Sequence, residues 1–291
     1  MVKRKIILNR LNKVEDLPTF PEIAIKVREQ LQEPKVNIKD IAMIVENDPA
    51  LASKILKLAN SAYYSFGRQF GNVRQAIVRL GLAEVEKLTV AMGAMRVFSA
   101  EGLPRNYFKD FWTHSIMVAL TTREIIASSE IYSTKKIDIN NAFTAGLFHA
   151  IGRLILYQYF PEYFMEIFER SKTQDMELHH IEEKELGINH AEIGAVILDR
   201  WKLPEFICDS VMYQYEPDRC KPATRIYAQA VHLSNFSVSL NGNPLPDGNL
   251  PKSFSHGAWH DLKMSEDVND LIARVKDSEE RASIMVSLGI G

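Results

Sequence analysis

The stretch Ile139–Phe160 reads INNAFTAGLFHAIGRLILYQYF, and it sets the class of the whole chain. Its pattern is that of one long helix with no turn residue strong enough to divide it. The apolar part, Ala145 to Tyr159, is interrupted by His149 and Arg153. It is too short and too polar to span a bilayer, which needs about 20 predominantly apolar residues.

Outward from that segment the same periodicity continues in both directions. Helical patterns cover 107–127, 161–172, 180–186, 190–202, 204–213 and 224–240. On the N-terminal side Thr19-Phe20-Pro21-Glu22 has the form of a capping box, with Thr19 as N-cap and Glu22 at N3. Ile23, Val27 and Leu31 then recur on one face. Asn37 is placed to cap a helix carrying Ile38, Ile41, Ala42 and Val45. Asp48-Pro49 supplies a capping carboxylate followed by proline at the first helical position, ahead of the stripe Leu51, Ile55, Leu58 and Ala62. Asn72 opens a helix through Val73, Ile77 and Leu80, which Gly81 ends in the left-handed C′ position. A further helix runs over 83–98, and 262–288 reads as a helical tail. No run of alternating β-branched residues competes with these assignments. The predicted fold class is all-α.

Turn-rich segments divide the chain. Residues 99–105, with Gly102 and Pro104, and 241–251, rich in Gly, Pro, Asn and Asp, read as loops. They give an N-terminal helical part at 14–100, a central helical core at 105–240, and a loop with a C-terminal helical tail at 241–291.

Hydrophobic residues make up 46% and charged residues 25%, and 35 basic side chains face 37 acidic ones for a net charge of -2. A nucleic-acid binder carries a basic excess or stripe, so no DNA partner is expected. Cys208 and Cys220 are the two cysteines. They exclude a disulfide framework and a CxxC zinc pattern, and reduced thiols place the protein in the cytoplasm. The start, from Met1 to Leu8, is basic then apolar, but Asn9 and Arg10 end the run before the roughly 7–15 apolar residues a signal peptide needs. No membrane association is expected.

The chemistry-bearing feature is a set of histidines. His114, His149 and His190 each sit inside a largely apolar helical pattern on separate segments. One such histidine is an ordinary core residue. Three on separate helices can converge on a metal ion in the core of a bundle.

The segments around them carry a family resemblance. Gly146-Leu147-Phe148-His149-Ala150-Ile151-Gly152-Arg153 resembles the HD-superfamily segment in which an adjacent His-Asp pair and an Ile-Gly-Lys run lie at the metal site. His190-Ala191-Glu192-Ile193-Gly194 through Trp201-Lys202-Leu203-Pro204 is similar to the later histidine helix of the HDOD branch. Leu17-Pro18-Thr19-Phe20-Pro21, Asn47-Asp48-Pro49-Ala50-Leu51, Leu58-Ala59-Asn60-Ser61-Ala62 and Ala76-Ile77-Val78-Arg79-Leu80-Gly81 resemble HDOD domains in the same order, over residues 14–235.

The resemblance implies an HD-like multi-helix bundle with an N-terminal helical subdomain, and a bacterial signal-transduction role. It also implies a remnant metal site at His114, His149 and His190, and a phosphate contact at Arg153, where the family has lysine. It marks four degenerate positions. Ala150 stands where the metal-bridging aspartate belongs, Gln214 and Tyr215 where related proteins have paired histidines, and Asn235 where a terminal aspartate is expected. Hard cations depend on carboxylate oxygens, so a two-metal hydrolytic site is not expected. What remains is no resident cofactor, or a three-histidine zinc or iron site at low occupancy. Two functions follow. One is a non-catalytic module binding a signalling protein or a nucleotide, its oligomeric state open. The other is a metal-dependent phosphohydrolase acting on a nucleotide or cyclic dinucleotide through an altered site.

Two other features are open to two readings each, and a third to one. The helix–Gly81–helix unit could be a DNA-reading motif, but its second helix carries Glu84, Glu86 and Lys87 with no basic cluster, and an inward-packing hairpin is expected. Tyr63-Tyr64-Ser65-Phe66-Gly67-Arg68 could be a partner contact or a plug for the core. Glu182-Glu183-Lys184-Glu185 reads as a solvated helix face, with His179 and His180 exposed beside it.

Overall fold

The computed structural model describes residues 2–13, 19–98, 100–104, 106–134, 137, 139–248, 250–252, 254–264 and 268–290. Leu17 and Pro18 of the N-terminal motif, and Ser99 and Arg105 at the first boundary, lie outside the described residues. Among the described residues there is no strand, and no helix is long and apolar enough to cross a membrane.

In chain order the first helices are α1 (Val2–Lys13), α2 (Glu22–Gln32), α3 (Ile38–Glu46), α4 (Pro49–Ala59), α5 (Ala62–Ser65), α6 (Val73–Leu80) and α7 (Leu82–Val97). The central ones are α8 (Tyr107–Ser128), α9 (Glu130–Thr134), α10 (Ile139–Phe148), α11 (Ile151–Tyr159), α12 (Pro161–Ser171) and α13 (Leu178–Leu186). The last are α14 (His190–Arg200), α15 (Glu205–Met212), α16 (Arg225–Leu240), α17 (His256–Asp261) and α18 (Val268–Ile290). The chain forms two units: a larger one of Met1–Leu17 with Ala100–Ala282, and a smaller one of Pro18–Ser99 with Ser283–Gly291. The stretch 241–291, set apart in the sequence as loop and tail, is therefore divided between the two.

In the smaller unit the caps act as their chemistry requires. The side chains of Asn37, Asp48 and Asn72 accept from the backbone N–H groups of Lys39, Leu51 and Gln75. Asp48 also pairs with Arg96 at 2.6 Å, tying the start of α4 to α7. The Thr19 capping box does not form. Helix α2 starts at Glu22 with Pro21 as its N-cap, so Glu22 sits at the first helical position, where its carboxylate pairs with Lys26 instead. Gly81 has φ 83 and ψ 153, a positive-φ extended conformation rather than the left-handed helical one. Helix α7 is buried along most of its length, Glu84 and Lys87 included, and these two pair with each other. It packs as a core helix, with no face free to enter a groove.

In the larger unit α8 packs on α10 and α16, α11 on α14, and α15 on α14 and α16. The apolar centre includes Ile125, Ile126, Ala142, Ala230, Leu233 and Leu262. One sequence expectation is corrected here. The stretch 139–160 is not one helix: it breaks at His149-Ala150, between α10 and α11. The helical tail read at 262–288 is α18, and the short α17 precedes it.

Candidate functional site

The break between α10 and α11 follows from two close approaches that only glycine allows. At Gly146 a Cβ would lie 2.7 Å from Ala119 Cα and 2.7 Å from Thr122 Oγ1, so α10 sits directly against α8. At Gly152 a Cβ would lie 2.0 Å from the His190 carbonyl oxygen, so α11 sits against the start of α14. The chain must bend between these contacts, and His149 and Ala150 are the bend. The three histidines predicted from sequence are thereby delivered from α8, the end of α10, and the first residue of α14.

The structure pairs two of them. His114 Nε2 and His149 Nε2 are 3.1 Å apart, with ring centroids 5.1 Å apart. Each ring turns its other nitrogen to a backbone carbonyl: His114 Nδ1 to Asn243 at 2.6 Å and His149 Nδ1 to Gly146 at 2.7 Å. A carbonyl only accepts, so both Nδ1 atoms carry hydrogen, and in the neutral rings both Nε2 lone pairs point at each other. Burial holds the rings neutral, pushing His114 down to about 4 and His149 well below the usual range. The Asn235 side chain lies within hydrogen-bond reach of His114 and of Tyr215. Gln214 donates to the His149 carbonyl at 2.6 Å.

His190 is engaged elsewhere. Its Nδ1 and its backbone N–H both donate to Glu182 Oε2, at 2.6 and 2.8 Å, and its Nε2 meets the Tyr215 hydroxyl at 2.8 Å. Among the described residues these three histidines do not form a group with ligand atoms converging on one point. Ala150 is fully buried beside them.

Arg153 holds the centre of a charged cluster. Its guanidinium pairs with Glu182 at 2.9 Å and with Asp247, all three side chains being 0% exposed. Tyr107 donates to the other Asp247 oxygen at 2.9 Å, and the guanidinium lies 4.6 Å from the Phe164 ring centre. Burial pushes the Tyr107 phenol up to about 12, so it remains a donor. Burial also pushes Glu182 upward, but His190 and Arg153 outweigh that and hold it below the usual carboxylate range. Arg153, expected as a phosphate contact, has both terminal nitrogens on carboxylates.

Two expectations around α13 are corrected. Glu182 is not part of a solvated face, and His179 is 6% exposed, its ring stacked on Tyr215 at 3.8 Å. The signal was available. Leu178 and Glu182 are four residues apart, and Ile181 and Leu186 flank the same stripe, so Glu182 falls on the apolar side of α13. Asp247 gave no such signal, because a loop has no periodicity to break.

A family model described as the HDOD domain matches residues 17–217. The chain belongs to the HDOD family. The HDOD chain is similar in fold to an HDOD domain protein from Geobacter sulfurreducens, at 22% identity and a TM-score of 0.80, covering 98% of this chain and 97% of that one. It is similar to a Marinobacter aquaeolei protein assigned provisionally to signal transduction, at 23% identity and a TM-score of 0.80, covering 100% of this chain and 66% of that one. A Shewanella amazonensis protein assigned provisionally as a phosphohydrolase follows at 20% identity and a TM-score of 0.68, with 97% of each chain covered. A curated relative from Treponema pallidum, of uncharacterised function, is 22% identical over 249 residues; the HDOD chain spans 47% of its length.

The donors present fit the metal centre that the HD resemblance implies only in part. Zinc–imidazole bonds of about 2.0–2.1 Å put two ligand nitrogens about 3.3 Å apart across a tetrahedral ion. The His114–His149 pair has that bite, and carbonyl-bound Nδ1 atoms orient the rings as metal ligands are oriented. A two-metal centre does not fit. Ala150 and Asn235 offer no carboxylate, and Glu182 and Asp247 are bound to Arg153, His190 and Tyr107.

Proposed function

We propose that this HDOD chain is a non-catalytic signalling module that works by binding a protein partner. One observation carries the reading: the HD-site position is filled by a buried cluster whose charged groups pair with one another. Arg153 uses both carboxylates that could serve a metal, and His114, His149, Arg153, Glu182 and His190 are each at most 1% exposed. A phosphoester would need free ligands, and Arg153 and His190 occupy the carboxylates here.

The surface best suited to a partner lies in the smaller unit. Asn60 braces the turn after α5, accepting from the Phe70 N–H at 2.8 Å and donating to the Phe70 carbonyl at 3.0 Å. The brace holds Phe66 at φ 45 and 82% exposed, so the aromatic cluster is not a core plug. An exposed phenylalanine in left-handed backbone is costly on both counts and is characteristic of recognition sites. The groove beside it is lined by Val78, Arg68, Arg74 and Arg79 and by no acidic residue. Its charge suits an acidic segment carrying an apolar anchor.

The test is hydrolysis of bis-p-nitrophenyl phosphate by the purified protein with manganese, magnesium or zinc. Rates equal to the buffer blank are expected. Turnover that disappears in His149→Ala would overturn the non-catalytic reading.

A further inference from the structure

Beside the HD position, across Tyr215, the larger unit has a second histidine cluster at the head of α13. Glu177, His179 and His180 each offer one ligand atom, and the three atoms lie within 4.8 Å of one another. We propose that these residues bind a divalent transition-metal ion, with zinc the best match. Two imidazoles and one carboxylate are a donor set suited to a borderline ion, and three protein ligands leave a fourth position open.

The ligands are held in place. His179 is stacked on Tyr215 at 3.8 Å and 9°, which fixes its ring plane, and its Nδ1 is 3.6 Å from Glu177 Oε2. Glu177 is anchored through its other oxygen, which accepts from the Lys252 N–H at 2.7 Å. His180 lies against His179 with ring centroids 3.9 Å apart and its Nδ1 3.5 Å from Glu183 Oε2. Ligand atoms around a tetrahedral zinc are about 3.3 Å apart, so closing on an ion needs only a rotamer adjustment of the exposed His180.

The surroundings favour a cation. The cluster lines a cavity of about 600 Å³ that also carries Glu183, Glu216 and Asp218. The arginine there, Arg219, is paired with Glu216 at 2.5 Å. The positive end of α13 opposes a cation, but the carboxylates around the cavity supply the opposite field at comparable range. The open coordination position would face the cavity, where water or a ligand carboxylate could occupy it. A bound ion would also hold Lys252 against α13 through Glu177.

The site is tested by titrating zinc chloride into the metal-stripped full chain by calorimetry, alongside His180→Ala, Glu177→Gln and, as a control, the exposed His260→Ala. His180 is exposed and Glu177→Gln is isosteric, so both variants are expected to fold as the parent does. The expected result is a zinc affinity lowered at least tenfold by each of these two and unchanged by His260→Ala. Cobalt(II) should give four-coordinate d–d bands that His180→Ala abolishes. No zinc binding, or binding indifferent to both variants, or binding lost equally in His260→Ala, would overturn the proposal.

Discussion

Replacing Arg153 by methionine removes the charge at the centre of the buried cluster while nearly conserving volume. At an effective dielectric near 20, charges about 3 Å apart attract by roughly 5–6 kcal/mol, most of it offset by desolvation. Removing one partner is different, because it leaves the other charges buried without compensation, at about 3–5 kcal/mol. The remaining groups divide that cost unequally. Glu182 keeps two donors from His190, whereas Asp247 keeps the Tyr107 hydroxyl, so the larger share falls on Asp247. Urea unfolding at pH 7.5, followed by a probe in the larger unit, measures the loss. Arg153→Met is expected to cost about 3–5 kcal/mol, and Arg153→Met with Asp247→Asn to recover at least half. The deficit should shrink as pH falls, since carboxylates without their counter-charge take up protons more readily. A single-variant cost below about 1 kcal/mol, or no recovery in the double variant, would refute the reasoning.

Three further outcomes are expected. His114 has its pKa lowered to about 4 from 6.5, so only the unfolded chain gains its proton between those values; its stabilisation is present above pH 6.5 and falls by about 1.4 kcal/mol per pH unit as pH drops toward 4. Burial holds His149 and His179 neutral over the same range, so thermal melts from pH 7.5 to 4.5 should show at least that slope, and His114→Asn should reduce it by about one group's share. Gly152→Ala should destabilise by about 3 kcal/mol or more, because its methyl meets the rigid His190 carbonyl; a melting temperature within a degree or two of the parent would contradict the close contact. Phe66→Asn should change unfolding free energy by less than about 1 kcal/mol, since asparagine tolerates the left-handed backbone and the lost Arg79 contact is exposed. A larger loss would make Phe66 a structural residue rather than a recognition one.

Much of the fold was legible because its signals are local. A capping side chain at Asn37, Asp48 or Asn72 acts on a backbone N–H two or three residues away. The periodicity of α3, α4 and α6 reports a face that any neighbour would bury. Of the three motif histidines, His114 and His149 meet in the core, whereas His190 turns to Glu182 and Tyr215. What was hidden depends on distant partners. The bend at His149-Ala150 is imposed by α8 and α14 through Gly146 and Gly152, and nothing in the apolar run announces it. Glu182 is an intermediate case: its place on the apolar side of α13 was readable, but its partners Arg153 and His190 were not. Thr19 has the residue type of a cap, but Pro21 starts the helix two residues later and leaves it without a role there.

The cluster also bears on where this domain ends. The family match stops at residue 217, yet Asn235, Asn243 and Asp247 lie beyond it and complete what lies within. Asn243 gives His114 its carbonyl acceptor, and Asp247 gives Arg153 its second counter-charge. A chain cut at the homology boundary would keep every motif histidine but lose the carbonyl that orients His114 and the carboxylate that pairs with Arg153. The boundary drawn by shared ancestry is thus shorter than the unit that closes electrostatically, and for this molecule Asn243 and Asp247 belong to the site.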